Sequence, residues 1–374
     1  MSNLLIANCL QFHPGTYIDI MPRSLNPEEF LLKTPGVILD VRSPAEYTQG
    51  HIPGAVSFPL FNDQERAEVG ICYKHQGRDQ AVELGFAIAG PKFAGFIAKA
   101  KTLAPDRRVR IHCWRGGMRS GGVGWVLETG GFDVSLLTGG YKAFRRWGRS
   151  IFSIPQKIII LGGMTGTGKT DLLLALRQQG EQVLDLEGLA NHRGSSYGAL
   201  GMPPQPTNEQ FWNLISMEWA HFNRQKPVWI EAESKRIGIC PLPEELFQQM
   251  QSSPVIQIKR TRAERLNLLV DIYGTADIQE LIDATQRISR RLGGQRAKEA
   301  ISLLEEGKLA EAFDIILEYY DKTYTYDLQK RNVPIYDLDV AGLSAEEGAV
   351  RLQEKADQTK SDPAGKSEGI EARI

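Results

Sequence analysis

The sequence predicts an α/β protein with two parallel-sheet domains, the second of which carries a helical appendage. Its 374 residues exceed the length of one ordinary domain core. Short apolar segments alternate with helical patterns along most of the chain, as in parallel sheets joined by crossover helices. At residues 163–170 a glycine-rich turn joins an apolar segment directly to a helical one, which is typical of an α/β phosphate-binding domain.

The first domain is predicted over residues 12–150. Residues 37–40 and 109–112 are apolar runs of strand length, whereas residues 93–101 and the segment after Arg119 have helical periodicity. This order favours a parallel sheet with crossover helices, because parallel strands cannot be joined by tight hairpins.

The second domain is predicted over residues 151–352. An apolar strand at residues 157–161 leads through the glycine-rich turn into a helix at residues 171–177. Further apolar strands are predicted at residues 182–186, 228–230 and 255–258. The helical pattern from residue 278 to residue 321 forms the appendage, and the polar residues 353–374 are expected to be a disordered tail.

Composition excludes several classes of protein. Hydrophobic residues make up 42% and charged residues 24%, which is ordinary for a globular protein and argues against disordered, collagen-like or fibrous chains. Because 44 basic and 45 acidic side chains leave a net charge of −1, a nucleic-acid partner must be bound by local basic patches.

The sequence points to the cytoplasm, with no membrane partner. No stretch approaches the roughly 18 consecutive apolar residues of a membrane span, and the N-terminus lacks the pattern of a secretory signal. The cysteines are widely spaced, without a C-x-x-C pair or a zinc pattern, so a reducing compartment fits and no metal site is certain. They are Cys9, Cys72, Cys113 and Cys240.

One cysteine has the setting of a reactive thiolate. Cys113 directly follows an apolar strand, and Arg119 begins the next helix, where it can hold an oxyanion. The other candidate anion-binding residues of this loop are Trp114, Arg115, Gly116, Gly117, Met118 and Ser120. Inward backbone N–H groups, the helix N-terminus and the arginine all lower a thiol pKa. An isolated cysteine is usually a buried core residue, and the remaining three are interpreted in that way.

Four motifs in order resemble a rhodanese-like domain. They are LDVRSPAEY at residues 39–47, GHIPGA at residues 50–55, the cysteine loop itself, and LTGGYKA at residues 137–143. The resemblance implies that Cys113 carries sulfur or selenium. Ordinary sulfurtransferases of this family have four residues between Cys and Arg, whereas this chain has five, a spacing similar to that of related phosphatases. The wider loop suits selenophosphate and leaves a phosphatase as an open alternative.

The second motif, GMTGTGKT at residues 163–170, matches the phosphate-binding P-loop pattern. Its candidate phosphate-binding residues are Gly163, Gly166, Thr167, Gly168, Lys169 and Thr170. Glu231 and Glu233 follow an apolar strand, where an acid usually holds magnesium through water, although a solvated strand end is the alternative. No adenine-specific motif accompanies them, so nucleotide hydrolysis is not assigned.

The combination of both loops in this order resembles the tRNA 2-selenouridine synthase family over most of residues 12–340. Further stretches that carry the resemblance lie at residues 65–74, 185–194, 230–238 and 319–322. It implies two steps at a wobble 2-thiouridine: geranyl diphosphate alkylates the sulfur, and selenophosphate then supplies the selenium that displaces it. The P-loop would hold a diphosphate or selenophosphate, and Cys113 would serve the selenium step. Magnesium is left undecided.

The implied partners are the tRNA anticodon stem-loop with its 2-thiouridine and an enzyme that supplies selenophosphate. Two basic clusters are candidate tRNA contacts, and ordinary solvated helix faces are the equal alternative. The first cluster is Lys259, Arg260, Arg262 and Arg265, and the second is Arg287, Arg290, Arg291 and Arg296.

Two other functions remain open from the sequence. A cysteine-dependent phosphatase would use Cys113 as the nucleophile and Arg119 as the phosphate clamp, but it leaves the P-loop without a role. A sulfurtransferase with a regulatory nucleotide-binding P-loop would instead use the second domain as a switch.

Overall fold

The computed structural model describes residues 22–361. The chain divides between Trp147 and Gly148 into two compact units; the sequence places its domain boundary at residue 150. The predicted domain start at residue 12, Cys9 and residues 362–374 of the predicted tail lie outside the described residues.

The first unit contains a five-stranded sheet in the order β1-β5-β4-β2-β3. Its strands are β1 (Arg23–Leu25), β2 (Val37–Asp40), β3 (Val56–Ser57), β4 (Arg108–His112) and β5 (Asp133–Leu137). Every pairing is parallel, and Asp40 lies opposite His112 at the carboxyl ends of β2 and β4. The predicted parallel α/β sheet is therefore confirmed.

Within the described residues, six α-helices accompany this sheet. They are α1 (Pro44–Gln49), α2 (Asp63–Gln76), α3 (Arg78–Ala89), α4 (Phe93–Leu103), α5 (Met118–Thr129) and α6 (Gly140–Ser150). Capping boxes at Ser43 and Asn62 begin α1 and α2 by satisfying the free N–H groups of the first turn. Gly77, with φ of 96°, makes the turn between α2 and α3.

The helices α3 and α4 follow one another over Arg78–Leu103, and this run is long and apolar enough to cross a membrane by length and composition alone. Its mean hydropathy is 1.3, and 11% of the most apolar window is buried. One such helix is weak evidence for a span. The sequence contains no uninterrupted apolar run here, because Gly90 and Pro91 separate the apolar residues.

The second unit contains another five-stranded parallel sheet, in the order β12-β11-β6-β8-β7. Its strands are β6 (Ile158–Gly163), β7 (Gln182–Leu184), β8 (Val228–Glu231), β11 (Val255–Lys259) and β12 (Ile335–Asp339). A short antiparallel pair, β9 (Arg236–Ile237) and β10 (Cys240–Pro241), lies outside this sheet. All six residues of β6 are buried, as expected for a central strand covered on both faces.

The helices of the second unit surround this sheet and form the predicted appendage. They are α7 (Lys169–Gln178), α8 (Leu186–Ala190), α9 (Asn208–His221), α10 (Glu244–Gln251), α11 (Arg262–Tyr273), α12 (Ile278–Leu292), α13 (Gly294–Glu305), α14 (Leu309–Gln329) and α15 (Ala345–Ser361). In the appendage, α12 to α14 pack around a separate apolar cluster that includes Phe313 and Leu317.

The predicted tail was wrong over its first residues. The last helix, α15, continues to Ser361, so residues 353–361 are helical. Leu352 and Ala356 are buried in the same cluster as Leu172 of α7. The polar composition of this segment reflects the exposed face of an amphipathic helix rather than disorder.

Candidate functional site: a cysteine loop and a phosphate loop

The cysteine loop, residues 113–119, connects β4 to α5. The Cys113 side chain is 3% exposed, and its Sγ lies 3.2 Å from the Ser120 hydroxyl. That hydroxyl also lies 3.1 Å from the Gly117 carbonyl, its alternative acceptor. Of the predicted loop residues, Trp114, Arg115, Gly116, Gly117 and Met118 are exposed. The thiol therefore lies at the bottom of a loop whose other residues face solvent.

The LTGGYKA motif holds the cysteine loop in place. Backbone N–H groups of Tyr141 and Lys142 donate to the carbonyls of Cys113 and Trp114 at 2.9 and 3.0 Å. Gly116 has φ of 66°, and a Cβ there would lie 2.6 Å from the Leu137 carbonyl oxygen. Only glycine fits a position with this conformation and this close backbone approach.

A buried arginine ties the remaining motifs to the loop. Arg42 donates to both carboxylate oxygens of Asp40 and to the Gly50 carbonyl, the last at 2.7 Å. Its guanidinium lies 3.8 Å from the ring centroid of Tyr141. Both side chains of the Arg42–Asp40 ion pair are fully buried, so loss of either would leave an uncompensated charge. All four rhodanese-like motifs thus meet beside Cys113.

The environment of Cys113 favours its thiolate. Burial raises the pKa of this thiol, but hydrogen bonds from Ser120 and the positive charge of Arg119 outweigh that effect and hold the pKa below its usual value. The structure therefore brings together the two predicted catalytic residues, Cys113 and Arg119. A lower thiol pKa increases the fraction of thiolate at a given pH, and the thiolate is the nucleophilic form of cysteine.

Glu46 orients Arg119 and was not predicted as a site residue. Its Oε2 accepts a hydrogen bond from Arg119 Nη1 at 2.8 Å. Burial raises the Glu46 pKa, but Arg119 more than offsets this, so the carboxylate stays ionised. The available signal was its place in the SPAE capping box of α1, which indicates structure rather than a role at the loop.

The phosphate loop, residues 163–170, joins β6 to α7. Gly166 and Gly168 have φ of 80° and 78°, which turn the backbone around the loop. Lys169 Nζ donates to the Gly163 carbonyl at 2.9 Å, and Thr167 Oγ1 donates to the Met164 carbonyl at 2.8 Å. The predicted phosphate-binding residues therefore lie in one turn, at the N-terminus of a helix that can bind an anion.

Two arginines predicted to contact tRNA instead brace this loop. Arg260 Nε donates to the Thr167 carbonyl at 3.1 Å, and Arg265 Nε donates to the Thr165 carbonyl at 2.9 Å. Arg265 is 5% exposed and forms a two-bond ion pair with Asp321. The assignment of Arg265 to RNA was therefore wrong, because its guanidinium is buried between the phosphate loop and Asp321 of α14. Arg260 precedes α11 and its side chain is 12% exposed, so its role in binding tRNA stays a prediction.

The other predicted basic residues are at the surface, and their role in binding tRNA stays a prediction. Lys259 pairs with Asp337, and Arg262 pairs with Asp314. On α12 and α13 the exposed arginines are Arg287, Arg290, Arg291 and Arg296. Arg296 pairs with Glu318 at 2.6 Å, so part of this surface is locally neutralised.

Three carboxylates converge beside the phosphate loop. Glu187, Glu231 and Glu233 each offer an oxygen within 4.8 Å of the others. Thr170 Oγ1 donates to Glu187 Oε2 at 3.2 Å, which connects the cluster to the phosphate loop. Glu187 was not predicted as a site residue. Its signal was the DLEG segment after β7, which becomes meaningful only when β7 and β8 are known to be neighbours.

These carboxylates hold protons unusually strongly. Burial and then the Glu187 charge raise the Glu233 pKa to about 8, and burial also raises the pKa values of Glu187 and Glu231. Lys169 opposes the rise in all three. Glu231 is fully buried, and neither of its carboxylate oxygens has a hydrogen-bond partner within residues 22–361. Three converging carboxylates, one of them buried without a partner, beside a threonine hydroxyl are a donor set that fits Mg²⁺.

The comparisons with known proteins agree with this geometry. A family profile described as "tRNA 2-selenouridine synthase AAA domain" matches residues 156–342, and one described as "Rhodanese-like domain" matches residues 28–146. The chain is 35% identical over 336 residues to the tRNA 2-selenouridine synthase of Marinobacter nauticus, covering 79% of this chain and 89% of that one.

Two further relatives with the same name give similar values. The protein from Bordetella petrii is 34% identical, with coverage of 82% of this chain and 90% of that one. The protein from Psychromonas ingrahamii is 32% identical, with coverage of 84% and 93%. Since these similarities extend through both units and nearly the full length of each relative, the chain belongs to the tRNA 2-selenouridine synthase family.

Proposed function

We propose that this protein converts the wobble 2-thiouridine of tRNA into 2-selenouridine through a geranylated intermediate, with geranyl diphosphate and selenophosphate as co-substrates. Modification of tRNA to selenouridine follows from the family. The observation that carries the two-step route is the presence, in one chain, of an acidified thiol in one anion-binding loop and a lysine-bearing phosphate loop in the other. Each loop is suited to a different phosphorus-containing co-substrate.

In the first step, the phosphate loop binds the diphosphate group of geranyl diphosphate. The uridine sulfur attacks the first carbon of the geranyl chain, the carbon–oxygen bond to diphosphate breaks, and the uridine N3 proton is released. Lys169 and the backbone N–H groups of the loop stabilise the charge that develops on the leaving diphosphate. Thr170 and the carboxylates Glu187, Glu231 and Glu233 would hold Mg²⁺, which supplies further neutralisation of that charge.

In the second step, selenium replaces the geranylated sulfur at the cysteine loop. The selenium of selenophosphate attacks C2 of the base, and the bond from C2 to sulfur breaks with release of geranylthiolate. Selenium is already at the selenide level in selenophosphate, so this exchange needs no oxidant. The phosphorus–selenium bond must then be cleaved.

We assign that cleavage to Cys113. Its thiolate attacks phosphorus, the selenium leaves on the base as 2-selenouridine, and water then hydrolyses the cysteine thiophosphate to phosphate. Arg119, oriented by Glu46, binds the phosphoryl oxygens during the transfer. The five residues between Cys113 and Arg119, a spacing similar to that of cysteine phosphatases, support this role over selenium carriage.

The two steps can be separated in a strain that lacks the gene and carries variant copies. With wild type, mass spectrometry of tRNA nucleosides should detect 2-selenouridine. Cys113→Ser should accumulate the geranylated nucleoside without the selenated one, whereas the matched control Cys72→Ser should behave as wild type. Lys169→Ala should yield neither product in cells, and the purified variant should still selenate tRNA that is already geranylated.

Three results would contradict the proposal. The first is normal selenation by Cys113→Ser. The second is release of phosphate from generic phosphoesters that depends on Cys113 but not on tRNA, which would identify a phosphatase. The third is rapid turnover of ATP or GTP without tRNA, which would favour a regulatory nucleotide-binding domain.

A further inference from the structure

An apolar groove lies next to the cysteine loop in the first unit. It is formed by α2, α3 and the first turns of α5, and it has a volume of about 370 Å³. Apolar residues dominate its lining, chiefly Leu60, Phe61, Val82, Phe86, Phe93 and Met118. The only charged residues among those that line it are two arginines, Arg78 and Arg119.

The groove leaves large apolar side chains open to solvent. Tyr73, Phe86 and Met118 are 62%, 58% and 55% exposed. The hairpin of α2 and α3 contributes few residues to the core, since α2 buries only Cys72 and α3 only Ala81 and Ala89 within the described chain. A concentrated exposed apolar surface marks a binding site more often than a random surface feature.

The groove adjoins the loop that carries the reactive thiol. Met118 and Arg119 belong both to the cysteine loop and to the groove lining, and Gly122 lies one turn further along α5. Leu60 and Phe61 of the groove belong to the same apolar cluster as Cys113, and Phe93 packs against that cluster. A base that reacts beside Cys113 therefore has an apolar channel adjoining its reacting atoms.

We propose that this groove binds the geranyl chain of the S-geranylated uridine during the selenium step, an inference that rests on the proposed function. An apolar cavity of about 150 Å³ holds the six carbons of benzene, so ten carbons need about 250 Å³ and fit the groove. The two arginines at its edge suit phosphate groups rather than the chain: Arg119 faces the phosphoryl group of selenophosphate in the proposed step, and Arg78 can contact an RNA phosphate. The groove holds the geranylthiolate as the bond from C2 to sulfur breaks.

A single lipid-like chain fits this concave shape better than a bilayer does. Ligand sites are concave and enclose their ligand, whereas a membrane-bound helix lies with its apolar face along the bilayer surface. The exposed helical run Arg78–Leu103 is thereby explained as one wall of a substrate groove.

The chain offers a matched pair of variants to test the groove. Gly121 and Gly122 are neighbours in α5, and a Cβ added at either meets no atom within 4 Å. Only Gly122 lines the groove. Gly122→Leu therefore places an isobutyl group in the groove, and Gly121→Leu places the same group outside it, with the same gain in helix propensity.

The substrates are anticodon stem-loops that carry S-geranyl or S-dimethylallyl 2-thiouridine, with selenophosphate in excess. We expect wild type and Gly121→Leu to prefer the geranyl substrate by about tenfold or more in kcat/KM, since five further apolar carbons are buried. Gly122→Leu should lose that preference by slowing the geranyl substrate alone. Geranylation from geranyl diphosphate, assigned to the phosphate loop, should be unchanged and shows that the variant is folded.

Phe86→Ala provides a second variant that leaves the fold intact, because this side chain is mostly exposed. It should reduce the chain-length preference as well. The inference is overturned if Gly122→Leu and Gly121→Leu treat both substrates alike, or if wild type does not distinguish chain length. It is also overturned if the groove binds a bilayer instead, that is, if Gly122→Leu abolishes binding to vesicles of phosphatidylcholine and phosphatidylglycerol while selenation is unaffected. If wild type selenates neither substrate, the proposed function itself fails, and the inference with it.

Discussion

Substitution of Ser120 by alanine should slow the reaction of Cys113 with electrophiles. The Ser120 hydroxyl lies 3.2 Å from Cys113 Sγ and can donate to the thiolate. A hydrogen bond to a charged group contributes about 1.5–3 kcal/mol, which corresponds to about 10–100-fold less thiolate at a given pH below the thiol pKa. Because the more basic thiolate is also more nucleophilic, we expect a net fall of about 3–10-fold in rate.

The assay is alkylation of the purified protein by iodoacetamide across a pH series. Mass spectrometry measures the rate at which the peptide that contains Cys113 is modified. Because hydrogen bonds from Ser120 lower the pKa of the Cys113 thiol, their removal should move the midpoint of the rate profile to higher pH. Thr129→Val, at the exposed end of the same helix, should leave the profile unchanged. An unchanged rate and midpoint in a folded Ser120→Ala protein would refute the reasoning.

Three further predictions concern the second unit. In the absence of Mg²⁺, the melting temperature should fall as pH rises from about 5 to 8, because the pKa of Glu233 is raised to about 8 and the folded state binds its proton more tightly than the unfolded state does. The corresponding loss in the free energy of unfolding is about 2–5 kcal/mol. Mg²⁺ should restore stability at high pH, and a melting temperature that does not depend on pH would contradict this. Arg265→Ala should destabilise the unit by about 3–5 kcal/mol, measured by calorimetry, without changing the salt dependence of tRNA binding. Arg290→Ala should instead reduce the slope of log K against log salt concentration by about 1, measured by binding titrations at several salt concentrations. Leu352→Ala should lower the free energy of unfolding, measured by chemical denaturation, by about 2–5 kcal/mol. An unchanged free energy of unfolding would support the interpretation of this segment as a tail.

Both anion-binding loops could be located from the sequence because their signals are local. A strand, a glycine-rich turn and a helix start follow one another within about ten residues, so spacing alone predicts the backbone path. Cys113, Arg119 and the phosphate-loop residues are all placed by such short segments. The apolar strands β2, β6 and β11 were likewise predictable from runs of buried residues.

Strands with weaker local signals were not predicted. β1, β5 and β12 are short or carry polar residues, as in the Asp133–Leu137 segment. They are strands because neighbouring strands supply parallel hydrogen bonds, with β5 between β1 and β4 and β12 beside β11. Pairing of this kind depends on segments that are distant in the chain, which residue propensity cannot report.

The sequence by itself predicted the fold class, the family, the candidate nucleophile with its arginine and the candidate phosphate loop, since each depends on residues close together in the chain. Only the tertiary structure decided that Glu187 joins Glu231 and Glu233, that Arg265 braces the phosphate loop, and that α2 and α3 form an apolar groove beside Met118. These features arise where segments tens of residues apart pack together. Burial and proximity then determine the charge, pKa and exposure of each side chain, and a one-dimensional pattern does not contain them.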